Sequence, residues 1–243
     1  MAMGGPVSWW DTAGAVLLLL WAVGMWAAVA VLKFSNRGAG RPWVYPATMG
    51  LIVLGVIGQI GHAQEHFAQV AYWALRPTQQ PGMTPWGTGL AKGFEQADPG
   101  KATFGMEFLH LTGNFIFLAG LAGVLVITRR TVGSKAGRWG KMGVWMQGIH
   151  GLEHLTLTLS VVLGAPRAIG LSTWFGLLAP GPALWTYRVW WHFIANVIGS
   201  MIFAVAVYHL YRERNEIKAT YRSGSTPGVI TAAAEPPPAA AAA

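Results

Sequence analysis

Five long stretches of the chain are almost wholly apolar, and the polar residues that interrupt them recur at helical spacing. The stretches are Ala13–Leu32, Tyr45–Leu75, Thr103–Thr128, Met142–Leu163 and Leu184–Tyr211. A helix needs about 20 apolar residues to cross a bilayer. The pattern therefore predicts an all-α, polytopic membrane protein with five transmembrane helices. Residues 1–222 read as one membrane domain: a first helix over about 13–32, a helical hairpin over about 45–128 and a second over about 142–211. Residues 223–243, rich in Ser, Thr, Pro and Ala, read as a disordered low-complexity tail.

Two connections stand out. Arg76–Lys101 is rich in Pro and Gly, and a loop of that length is usually functional or disordered. Gly164–Pro182 contains a short apolar run, Leu171–Leu178, too short to span. That run is expected to lie in the membrane interface or to dip into the bundle.

Composition agrees with a membrane setting. Of 243 residues, 53% are hydrophobic and only 11% are charged, with a mean hydropathy of +0.41. There is no Cys, which excludes thiolate metal sites, disulfides and a cysteine nucleophile. The net charge of +8 looks at first like a nucleic-acid signal. Placing the 17 basic residues removes it. Twelve fall in the first-to-second connection, the third-to-fourth connection and the C-terminal segment, and five fall on the other side. By the positive-inside rule the N-terminus is outside and the C-terminus cytoplasmic, in a multi-pass cell-membrane protein. The partners expected are the lipid bilayer and other membrane subunits, with no nucleic acid. An N-terminal signal peptide is not expected, because no Lys or Arg precedes the first apolar run and Asp11 sits just before it. Tryptophans near the span ends read as an interfacial belt.

The informative polar residues form a repeat. Gln59, His62, Glu65 and His66 spell Q-x-x-H-x-x-E-H in the second stretch, and Gln147, His150, Glu153 and His154 spell it again in the fourth. His110 and Asn114 in the third stretch spell H-x-x-x-N, as do His192 and Asn196 in the fifth. Residues at i, i+3 and i+4 share a helix face. Each hairpin therefore presents three His and one Glu from two helices, and Glu107 adds a third carboxylate, three residues before His110. These groups are expected to converge in one layer of a four-helix bundle built from the two hairpins, in the outer half of the membrane. The first helix carries no such residue and is expected to pack outside.

Ionisable side chains inside a bilayer are expensive and point to function by default. A single buried His or Asn is often only an interhelical hydrogen-bond partner, and that is the reading for His209, which lies outside the repeat. Six histidines and three carboxylates in one layer exceed any packing need. The leading expectation is a dinuclear non-haem metal centre with His62, Glu65, His66, Glu107, His110, His150, Glu153, His154 and His192 as ligands. In it Glu65 and Glu153 bridge the ions, and Glu107 also serves as the catalytic carboxylate. Gln59, Asn114, Gln147 and Asn196 would orient the ligands. Iron or copper is favoured, with zinc or manganese as the other candidates. The expected activity is that of a membrane-bound oxidoreductase acting by oxygen-dependent or one-electron chemistry on a small or lipid-soluble substrate. H-x-x-E-H resembles the inverzincin order, in which two His bind zinc and Glu is the base, but two copies with partner histidines point away from a hydrolase. Two alternatives use the same residues: metal-ion transport or binding, and a b-type haem cytochrome with Gly55, Gly58 and Gly61 as a smooth face. A structural or assembly subunit is the remaining option.

Overall fold

A computed structural model describes residues 6–101, 103–222, 225 and 228–229. The architecture is helical. Its elements are α1 (Trp9–Ser35), α2 (Val44–Leu75), α3 (Pro85–Glu95), α4 (Phe104–Thr128), α5 (Lys135–Val162), a 3-10 turn (Leu171–Thr173), α6 (Pro182–Arg212) and α7 (Arg214–Ala219). The two-residue strands β1 (Thr131–Val132) and β2 (Gly228–Val229) pair in parallel.

Helices occur at all five expected places. Four of them, α1, α2, α4 and α6, are long and apolar enough to cross a membrane. The helix α5 has 28 residues but carries Lys135, Arg138, Lys141, Gln147, His150, Glu153 and His154, which lower its apolar content. Around the bundle, α2 packs on α4, α4 on α5, α5 on α6, and α6 back on α2.

The helix α1 lies outside this ring, against α2, α3 and α4. Ser8 and Asp11 start it with a reciprocal capping box. Its buried stripe is Ala15, Ala22, Met25, Val29 and Leu32, while Leu17, Leu20, Val23 and Val31 are exposed. One apolar face is thus spent on the protein and the rest is left for lipid. Trp26 ties α1 to α4 by donating its indole N–H to the Phe115 carbonyl (3.0 Å).

The long Pro/Gly-rich connection is not merely a loop. It contains α3, which packs against α1 and α4. Thr84 caps α3 by accepting from the Gly87 N–H, and Pro85 occupies the first turn. In the second connection Trp174 and Phe175 adopt left-handed backbone angles (φ 48° and 53°). Trp174, Phe175 and Leu177 are exposed, whereas Ser172 and Thr173 are buried.

At the opposite end of the bundle, Arg130 is buried and donates to the carbonyls of Thr220 (2.8 Å), Gly38 (2.5 Å) and Ser225 (2.6 Å). It joins the α1–α2 connection to the C-terminal segment. Of the residues expected to form a disordered tail, Ser225, Gly228 and Val229 are placed against the body by this contact and by the β1–β2 pairing. The remainder of that expectation lies outside the described residues.

Candidate functional site

Helix period and the direction of each helix bring the motif residues to one end of the bundle. They run from the middle of α2 and α5 toward their C-terminal ends and lie in the first half of α4 and α6. His62, His66, His110, His150, His154 and His192 are all buried there.

Their rings form two sets of three with matched spacing. In one set the ring centres of His62–His66, His66–His110 and His62–His110 are 4.8, 5.2 and 5.8 Å apart. In the other, His150–His154, His154–His192 and His150–His192 are 4.8, 4.8 and 5.7 Å apart. The sets touch through His66–His192 (5.7 Å) and His110–His154 (5.6 Å).

Backbone carbonyls orient two of the rings. His110 Nδ1 lies 2.8 Å from the Met106 carbonyl, and His192 Nδ1 lies 2.9 Å from the Arg188 carbonyl, each one turn back. A carbonyl can only accept, so Nδ1 carries a proton, and in the neutral ring Nε2 is the nitrogen that offers a lone pair. His62 Nε2 and His66 Nε2 face each other at 2.8 Å. Both nitrogens of His154, Nδ1 of His62 and Nε2 of His192 are buried with no hydrogen-bond partner among the described residues. An unpaired buried polar atom costs about 1–3 kcal/mol, so four in one place call for an explanation. Among the described residues, no three His, Asp or Glu side chains already stand as an ion-holding group. In the mutual hydrogen bond of His62 and His66 one ring donates its Nε2–H to the Nε2 lone pair of the other, so neither nitrogen is turned toward a common point.

The amides cross between hairpins. Gln59 of α2 donates to Asn196 of α6 (3.2 Å), and Gln147 of α5 donates to Asn114 of α4. Each Asn in turn donates to the backbone carbonyl of the His one turn before it, at 2.9 Å in both helices. Asn196 also lies 3.5 Å from His150 Nε2.

Each of the three carboxylates has partners in the protein, including Glu65 and Glu153, the two expected to bridge the ions. Glu65 accepts from the Thr84 N–H (3.0 Å) and hydroxyl (2.5 Å), at the start of α3. Glu153 accepts from the N–H groups of Leu171 (2.6 Å) and Ser172 (2.8 Å), at the 3-10 turn. Glu107 is ion-paired with Arg188 (2.8 Å), and its second oxygen is buried without a partner. Arg188 is a site residue that the sequence reasoning missed. It lies one turn before His192, and only its charge inside an apolar run marked it.

The matching family covers residues 1–237 and is described as a family of unknown function, DUF6008. The chain belongs to that family. No curated protein matches it, and no solved structure does. In this DUF6008 member a cavity of about 680 Å³ reaches the cluster, with His110, His154 and His192 at its inner end. Its other walls include Lys101, Arg167 and Arg188 and the connection between α5 and α6.

Two glycines of α2 meet α4 closely. Gly55 lies against Gly120 of α4, and Gly58 against Ile116. That face is used for close helix packing.

Proposed function

We propose that this protein is an integral membrane metalloprotein whose clustered imidazoles hold a non-haem centre of two ions, and that it acts as an oxidoreductase on a small or lipid-soluble substrate. The observation that carries this reading is the set of unpaired buried nitrogens on His62, His154 and His192, within two sets of three rings. An ion bound at about 2.0 Å from a ring nitrogen sits about 3.2 Å from the ring centre, so imidazoles sharing one tetrahedral ion have centres about 5.2 Å apart. The separations of 4.8–5.8 Å in each set bracket that spacing. For His62 and His66 to share an ion their rings must turn, and the ion then replaces their mutual hydrogen bond.

With Glu65 and Glu153 committed to the connections, the donors are mainly neutral imidazoles. Such donors favour copper, with iron and zinc behind it. Glu107 is the carboxylate left to handle protons, through its free oxygen one turn from His110. In the membrane α5 spans as the fourth of five helices, the two hairpins are repeats, and the cluster lies in the outer half beneath a lid of α3 and the 3-10 turn. The N-terminus is outside and the C-terminus cytoplasmic. Trp174, Phe175 and Leu177 then rest in the outer interface. The opposite half of the bundle is filled by Phe117, Leu121, Val124 and Phe203, which favours a site served from one side over a transit path.

Metal analysis and an optical spectrum of the full chain in lipid nanodiscs test the reading. About two copper or iron atoms per chain without a Soret band are expected. A Soret band, or no bound metal after supplementation, overturns it.

A further inference from the structure

The cavity above the histidines has a one-sided charge pattern. Three cations, Lys101, Arg167 and Arg188, lie on its wall, and among the described residues no Asp or Glu does. Asp98 offsets Lys101 at 2.9 Å, and Glu107 offsets Arg188 at 2.8 Å, but neither carboxylate reaches the cavity lining. Arg167 is exposed and forms no ion pair among the described residues. Much of the rest of the wall is apolar, including Val161, Leu178, Leu184 and Val189. Low-dielectric walls around charge of one sign concentrate the field and draw in the opposite ion. At the inner end stand His154 and His192, both more than nine-tenths buried, with unpaired nitrogens. The exposed residues Gly100, Pro166 and Pro180 also line the cavity, so it opens among the connections.

We infer that this cavity is an entry route and binding site for a small anion, which it leads from the water at the connection end to the face formed by His110, His154 and His192. Arg167 captures the anion at the mouth. Arg188, held in place by Glu107, receives it one helical turn from His192. A free divalent cation meets like charge along the same path. The ligand class is a small inorganic anion or a short carboxylate, entering from water and not from the lipid. The inference rests on the metal-centre reading for what the anion meets at the inner end, while the capture step needs only the cations.

Azide is a suitable probe, because its infrared stretch reports a bound anion with or without a metal. The full chain in nanodiscs is assayed for metal and then titrated with azide at low and high ionic strength. Saturable binding is expected, weakened about tenfold in Arg167→Gln, largely restored in Arg167→Lys and reduced by salt, with metal content equal in all three. Bound metal with azide affinity indifferent to Arg167 overturns the anion route and leaves the metal reading standing. Saturable, Arg167-dependent azide binding without bound metal supports the route and overturns the metal reading. Absence of both overturns both.

Discussion

Glu153 accepts the backbone N–H of Leu171 at 2.6 Å, and through it a buried carboxylate of α5 holds the 3-10 turn of the α5–α6 connection. Glu65 does the same for α3 through Thr84 (3.0 Å to the N–H). The Glu of each Q-x-x-H-x-x-E-H string thus points along the bundle to a connection, while its two His point to the cluster. Glu to Gln at either position replaces one accepting oxygen by an NH2 group that faces donors. Glu153→Gln is expected to raise amide exchange at 171–173, and Glu65→Gln at 84–87, with a loss of about 1–3 kcal/mol of local stability. Metal content is expected to remain near that of the parent. Lost metal with unchanged exchange would instead make the carboxylates ligands of the proposed centre.

The sequence makes the helices and the histidine cluster legible for a physical reason. Long apolar runs have few structural solutions, and the 3.6-residue period fixes which of His62, Glu65 and His66 share a face. The partner of a carboxylate is a different kind of fact. That Glu65 meets Thr84 depends on how a connection folds back over a helix end, and no periodicity records it. The helix α3 was in part readable: Thr84–Pro85 is a cap followed by a first-turn proline, but a loop dense in Gly and Pro masks it. The crossing of Gln147 to Asn114 and of Gln59 to Asn196 was likewise beyond reach, because it requires knowing which helices are neighbours in the ring.

That crossing gives a second prediction. Gln147 is buried between α5 and α4 and donates to Asn114, which itself donates to the His110 carbonyl. The His110 ring, however, is oriented by the Met106 carbonyl. Gln147→Leu is therefore expected to cost about 0.6–2 kcal/mol of bundle stability, the range for interhelical hydrogen bonds in membranes, and to change metal affinity less than tenfold. Unfolding in mixed micelles and a metal titration read the two separately. A large affinity loss at unchanged stability would mean that the amide acts on the His110 ring.

Close packing supplies a third. A methyl group added at Gly120 would stand 2.8 Å from the Gly55 Cα, and one added at Gly55 would stand 2.5 Å from the Gly120 Cα. Backbone cannot yield as a side-chain tip does. Gly120→Ala is expected to lower stability by about 1–3 kcal/mol through overpacking, and Gly120→Val by more. Gly148 meets nothing within 4 Å and serves as the control, with Gly148→Ala close to neutral. Thermal melts of the three variants decide it. Equal melting points for Gly120→Ala and Gly148→Ala would show that α2 and α4 do not approach so closely.

The far end of the bundle gives a pH-dependent prediction. The Tyr221 hydroxyl donates to the Ile127 carbonyl (2.8 Å) and accepts from the Asn36 side-chain amide (2.9 Å). Burial pushes its pKa up to about 12, against the weaker opposing pull of the Asn36 hydrogen bond and of Arg130 and Arg129. The folded chain therefore keeps the phenol proton where the unfolded chain, with a value near 10, has lost it. The stability this provides is whole below about pH 10 and is lost as pH rises from about 10 through about 12. Tyr221→Phe removes the ionisable group together with its hydrogen bonds. It is expected to cost about 0.5–1.5 kcal/mol at neutral pH and to flatten the alkaline fall in melting temperature. Matching alkaline profiles for the parent and Tyr221→Phe would show that another group governs that limb. A normal alkaline fall in the parent that vanishes in the variant would assign it to the clasp that joins the C-terminal segment to α4.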